Sequence, residues 1–195
     1  MASFNAQPIT GNWRSGYALD LHTLSSTHIG VDEWGHDRFD NIYSELGLLL
    51  NRLKYKQDQT VADEIIAAAV QFVQSKRTNF DLIVPVPAST QRAVQPVQLL
   101  AHGIGEALGL PVVSCITTTR PTAQLKGITD PEKRKEALDG LHAVDATYTR
   151  GKNVLLFDDL FRSGSTMNAI TDVLLQQGRA ANVYALTVTR TRSNR

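Results

Sequence analysis

From Val61 the apolar positions fall at Ile65, Ala69 and Phe72, spacings of four, four and three that predict an amphipathic helix over Val61–Val73. Ser44–Lys54 reads as a second helix just before it. Leu82-Ile83-Val84 is a short β-favouring run halted by Pro85 and Pro87, which lack the amide that a sheet ladder needs. Val97, Leu100, Ile104 and Leu108 return to helical spacing, with Pro96 tolerated in the first turn and Gly109 at the end. Pro111–Ile116 reads as a second strand, and Thr117–Glu136, polar and without a sustained apolar period, as a long exposed loop. Asn153–Phe157 is a continuous apolar run of the kind buried on both faces of a parallel sheet. A helix with its apolar face at Met167, Ile170, Val173 and Leu174 follows, capped by Thr166 and ended at Gly178, and Asn182–Val188 makes a further strand. Strands alternating with helices predict an α/β fold, a mostly parallel central sheet flanked by helices, with the loops after Val84, Ile116 and Phe157 on one ligand-binding rim.

The first 36 residues, rich in Gly, Ser, Thr and Asn with scattered aromatics, suit short strands and loops. The chain of 195 residues is expected to form one domain, a strand-rich segment over 1–43 followed by an α/β core over 44–195. Hydrophobic residues make up 42% and charged residues 20%, enough to bury a sizeable core. Twenty basic and 19 acidic residues leave a net charge of +1, which does not favour direct nucleic-acid binding. Cys115 is the only cysteine, so an internal disulfide and a cysteine zinc cluster are excluded within one chain. No apolar stretch reaches membrane-spanning length, the start lacks the order of a signal peptide, and residence in the cytoplasm is expected.

The chemistry concentrates in VLLFDDLFRSGST, Val154–Thr166. Two carboxylates, Asp158 and Asp159, close a buried strand, and Arg162, Ser163, Gly164, Ser165 and Thr166 lead into a helix. Loop amides and a helix N-terminus attract an anion, Gly164 permits close backbone approach, and the hydroxyls donate, so the loop reads as a phosphate cradle. Carboxylates would repel a phosphate but accept hydrogen bonds from sugar hydroxyls. A phosphate at one end and a diol at the other describe a ribose 5-phosphate.

This segment resembles the phosphoribosyl-pyrophosphate motif of type I phosphoribosyltransferases: four apolar residues, two acids, then a loop of the form Thr-Thr-Gly-x-Thr. Arg162 stands where that family usually has Thr, and a cation there either strengthens phosphate binding or obstructs it. The order LKYKQD at Leu53–Asp58, DLIVPVP, a loop with Arg92, RPTAQLKG and a later Arg134 is similar to the ComF branch, over about Leu46–Val188. Many ComF-like proteins begin with a cysteine zinc module, which this sequence lacks. The resemblance implies a parallel sheet with a small N-terminal hood-like segment over the acceptor, phosphoribosyl pyrophosphate (PRPP) as donor with Mg2+ held mainly by the donor, an unspecified acceptor base and a homodimer. Pyrophosphate is released as a nitrogen nucleophile takes the sugar. By the same resemblance Asp158 and Asp159 hold the ribose, Arg120 touches pyrophosphate, Ala88, Ser89 and Arg92 belong to the pyrophosphate loop, and Lys126 and Arg134 close as a lid. A non-catalytic donor sensor and a DNA-uptake accessory are the alternatives.

Other features have plainer explanations. Gly103 and Gly105 lie inside a helical pattern rather than after a strand. Asp32, Glu33, His36 and Asp37 match no standard metal spacing and read as a polar turn. Trp13, Tyr17, Trp34 and Phe39 are expected to pack a small core or a dimer contact, and Arg190, Arg192 and Arg195 to form a solvated tail.

Overall fold

The computed structural model describes residues 2–88, 93–120, 128 and 130–192, without the side chains of 131, 132, 134 and 135. Five strands form the main sheet: β1 (Gln7–Pro8), β2 (Ser15–Leu21), β5 (Leu82–Pro85), β8 (Asn153–Phe161) and β9 (Asn182–Arg190), in the order β1-β2-β9-β8-β5. Only β1 runs antiparallel to its neighbour. The strands β2, β9, β8 and β5 therefore end on one rim, where loops rather than ladder partners follow.

Alternation along the central strands divides the core into two layers. Leu19, Ile83, Leu155, Phe157, Leu186 and Val188 face α1 (Glu45–Tyr55), α2 (Ala62–Ser75) and α3 (Pro96–Leu108). Ala18, Leu82, Val84, Val154, Leu156, Val183 and Ala185 face α6 (Ser165–Gln176). Both faces being covered explains the near-continuous apolar run of β8. Each fully buried Leu, Ile or Phe contributes roughly 1.5–3 kcal/mol. The helix α1 starts at Ser44, whose Oγ accepts from the Gly47 amide at 3.0 Å and donates to the Leu21 carbonyl.

Several expectations are corrected. Pro111–Ile116 is not a full strand: Val112 makes one parallel bridge to Ile83, and β6 (Ile116–Thr118) pairs instead with β7 (His142–Val144) in a separate antiparallel ribbon. The long loop ends early, at α4 (Pro131–Leu138), where the Asp130 carboxylate accepts from the Lys133 amide at 3.0 Å. Its run of Glu, Lys and Arg favours a helix by propensity and capping but offers no apolar stripe to read. A short helix α5 (Ala146–Thr149) then leads to β8. The N-terminal segment divides: β1 and β2 complete the sheet, while β3 (Thr23–Val31) and β4 (Asp37–Tyr43) form a hairpin apart from it. Asp32 accepts from the Trp34 and His36 amides at the hairpin tip, the polar turn expected there, and Trp13 is buried while Trp34 and Phe39 are exposed.

Candidate active site

The strand β8 runs through the acidic pair to Phe161 instead of stopping at Phe157, because β9 supplies partners beyond it: Asp158 lies opposite Thr187, Leu160 opposite Thr189 and Phe161 opposite Arg190. The acids therefore point to opposite faces of the sheet. Asp158, on the α6 side, lines a cleft of ≈ 140 Å³ with Leu160, Phe161, Arg162, Ser163, Gly164, Ser165, Thr166 and Met167. Its Oδ1 accepts from the Asp159 amide at 2.8 Å. Loss of hydration and the adjacent Asp159 push its pKa up from 3.8 to about 7, against the opposing pull of that amide and of Lys54.

Asp159, on the other face, is buried and ion-paired with Lys54 Nζ at 2.9 Å, with 14% of the lysine side chain and 11% of the aspartate exposed. Lys54 comes four residues after Leu50 on the buried stripe of α1. A lysine on an apolar helix face is the sequence signal that would have found it.

The cradle is built around Gly164, which occupies the N-cap position of α6 with φ +75°, so the cap is not Thr166 as expected. A Cβ there would lie 2.8 Å and 2.9 Å from the Phe161 ring, which makes glycine a steric as well as a conformational requirement. The Ser163 and Ser165 hydroxyls lie 2.9 Å apart, and the first turn of α6 carries no acid. The amides of the first turn, the positive end of the helix dipole and these hydroxyls make an anion site, with exposed Arg162 on its edge.

The remaining candidates separate. Ala88 is exposed just beyond β5, on the same rim as the cleft. The Arg120 guanidinium donates to the carbonyls of Ala137 at 3.0 Å and Asp139 at 2.8 Å, tying the end of β6 to the end of α4, and it does not line the cleft. Ser89, Arg92, Lys126 and the Arg134 side chain lie outside the described residues. No cluster of three metal-ligating side chains occurs among the described residues.

The phosphoribosyl transferase domain family matches residues 51–195. This chain belongs to that family. Competence protein ComFC of Bacillus subtilis (strain 168) is 29% identical over 112 residues, 56% of this chain and 44% of ComFC, so the chain spans less than half the length of that relative. This similarity agrees with the motifs in placing the phosphoribosyl transferase domain in the ComF-like branch of the type I superfamily. Among solved structures, adenine phosphoribosyltransferase from Saccharomyces cerevisiae superposes with a TM-score of 0.49 at 14% identity, over 86% of this chain and 84% of that one. Glutamine PRPP amidotransferase from B. subtilis gives 0.47 at 19% identity, over 66% of this chain and 26% of that one. The matched region of this phosphoribosyl transferase domain contains Lys54, the acidic pair and the whole cradle. No helix among the described residues is long and apolar enough to cross a membrane.

One rim residue that the sequence did not flag is His22, between β2 and β3. Its Nδ1 lies 3.1 Å from Thr189 Oγ1, its ring meets Tyr43 edge-on at 5.5 Å, and its amide donates to the Arg190 carbonyl at 2.7 Å. Burial first, then Lys54 and Arg162, lower its pKa, while Asp159 raises it. A lone histidine between two strands breaks no periodicity, so nothing in the sequence marks it.

Proposed function

We propose that this chain transfers the phosphoribosyl group of PRPP to a nitrogen nucleophile, a nucleobase by preference, with release of pyrophosphate. The observation that carries the reading is the meeting of Asp158 with the Arg162–Thr166 cradle in one cleft. The cradle takes the 5-phosphate through amides, hydroxyls and Arg162. Asp158 accepts from a ribose hydroxyl and favours the positive charge that grows on the sugar as the anomeric bond lengthens. Asp159, held by Lys54, fixes the strand beneath the sugar and supports that charge from the far face. Ala88 lies at the start of the pyrophosphate loop. Arg120 reaches pyrophosphate only by leaving the carbonyls at the end of α4, which makes its lid-anchoring role the nearer one.

Mg2+ would be held mainly by the donor, with Asp158 the cleft carboxylate suited to face it, and would help neutralise the departing pyrophosphate. A homodimer is part of the same reading, and the hairpin β3–β4, whose apolar side chains lie open, is the surface for it. A donor-sensing reading without turnover is favoured by one observation, the engagement of Arg120 away from the cleft. ComFC is named a competence protein, but a net charge of +1 gives this chain no broad field for DNA.

The test is calorimetric titration with PRPP and Mg2+ on wild type and Asp158→Asn, a change that leaves the Lys54–Asp159 pair intact. Donor binding by wild type, weakened about tenfold or more in the variant, is expected for one lost charge-assisted hydrogen bond. No binding to wild type overturns the reading, and tight binding without pyrophosphate release across a panel of bases favours the sensor.

A further inference from the structure

Resting on the transferase reading above, we infer that His22 is the group that takes the proton from the attacking nitrogen of the acceptor. The first argument is position along the rim. The sheet order β2-β9-β8-β5 places the cradle after β8, with the β5 end and Ala88 on one side and the ends of β9 and β2 on the other. A displacement at carbon sets nucleophile and leaving group on opposite faces. With pyrophosphate toward the β5 loop, the acceptor approaches from the β2 side, where His22 ends the strand. The hairpin β3–β4 begins at Thr23, and Tyr43, its last residue, packs edge-on against the imidazole.

The second argument is rigidity. The His22 amide is bound to the Arg190 carbonyl at 2.7 Å, and its carbonyl receives the Ser44 amide at 3.4 Å at the start of α1. Gly47 makes room for this: a Cβ on it would collide with the His22 carbonyl. A catalytic group held by a strand end and a helix start loses little freedom when the reaction begins. The third argument is chemistry. Nδ1 lies 3.1 Å from Thr189 Oγ1, and in the tautomer that carries the ring proton on Nδ1 and donates it to that hydroxyl, Nε2 is left as an acceptor. The groups facing it are Lys54 from α1, Asp159 from β8, Arg162 from the cradle loop and Tyr43 from β4. Burial and the two cations outweigh Asp159 and hold the ring's pKa below that of a free imidazole, the direction that favours the neutral form a base requires.

The step balances. The acceptor nitrogen forms its bond to the anomeric carbon, the carbon–oxygen bond to pyrophosphate breaks with the electron pair leaving on oxygen, and the N–H proton passes to Nε2. The Asp159 carboxylate, already within electrostatic reach, stabilises the imidazolium formed.

The experiment measures pyrophosphate release from PRPP and Mg2+ with adenine, guanine, hypoxanthine, uracil and orotate, for wild type, His22→Gln and His22→Gly. His22→Gln should lower kcat by about 10²-fold or more, the usual share of a general base. PRPP affinity by calorimetry should stay within about twofold, since the lost interaction belongs to the acceptor side. The acid limb of log(kcat/KM) should be shallower in His22→Gln than in wild type by about one unit of slope, since one group fewer must be unprotonated. Added imidazole should restore part of the rate to His22→Gly. A variant with unchanged rate and slope, or one that loses PRPP binding, overturns the role of His22 alone. Wild type that releases no pyrophosphate with any base overturns the transferase reading and this inference with it.

Discussion

Adjacent carboxylates on one strand do different work because the strand sends them to opposite faces. Asp159 finds Lys54, so its charge is matched in the core. Desolvation first, and then the charge of its neighbour, drive the pKa of Asp158 to about 7, and among the described residues no cation pairs with it as Lys54 does with Asp159. The folded protein thus holds this proton more tightly than the unfolded chain, whose carboxyl titrates near 3.8. Its contribution to stability is complete below pH 4 and is lost as the pH rises through about 7. Asp158→Asn removes that loss, so the variant should gain about 1–2 kcal/mol on wild type between pH 5 and pH 8, discounted from the full shift because the cleft admits water. Urea unfolding at the two pH values checks this, and an equal difference at both would rule the shift out. Residue identities in the motif were legible, since acids and hydroxyls around a glycine after an apolar run have few other uses. The partner of Asp159 was not read, although Lys54 on the apolar stripe of α1 carried the clue. His22 carried none, because its place is fixed by hydrogen bonds to residues more than 160 positions away.

At the scale of elements, the unit β8–loop–α6 turns a strand into a helix with no spare residues. Gly164 makes the turn possible at φ +75°, and its missing side chain is where the Phe161 ring sits. Gly164→Ala should cost about 1–3 kcal/mol through the left-handed backbone and the displaced ring, and should weaken PRPP binding by moving the first amides of α6. Gly109→Ala is the control. It shares a positive φ, +65°, but a Cβ there meets nothing within 4 Å, so it should lose about 1 kcal/mol without touching donor affinity. Equal donor affinity in all three proteins, measured by calorimetry, would remove Gly164 from the cradle. The helices α1, α2, α3 and α6 are legible because each buries a face and shows it as a period, and β5 and β9 because they are β-favouring apolar runs. The helix α4 buries no readable stripe, and β6 and β7 are three residues each, too short for a period to register. The end of β8 is not legible in the sequence because acids inside a strand look like a stop; only the β9 partners reveal that it continues.

For the whole molecule, the hairpin β3–β4 is the part the fold leaves unaccounted for. Two strands without a third are marginal in water, yet Leu24, Ile29, Val31, Trp34, Phe39 and Ile42 stand 50–74% exposed along it. Register shifts between Thr23 and Ser25 and between His28 and Gly30 break its alternation, which explains why no clear strand pattern is legible there and why apolar residues reach both faces. A second copy of the chain bringing its own hairpin would cover these side chains and pair the open edges, in keeping with the proposed homodimer. Sedimentation at micromolar concentration should then give twice the 21.4 kDa of one chain, and Ile29→Glu/Ile42→Glu should return it to one. Because the hairpin springs directly from His22 and returns at Tyr43, the same substitutions should weaken turnover more than PRPP binding. A wild type that sediments as a monomer, or a monomeric variant with full turnover, would separate assembly from the acceptor side of the cleft.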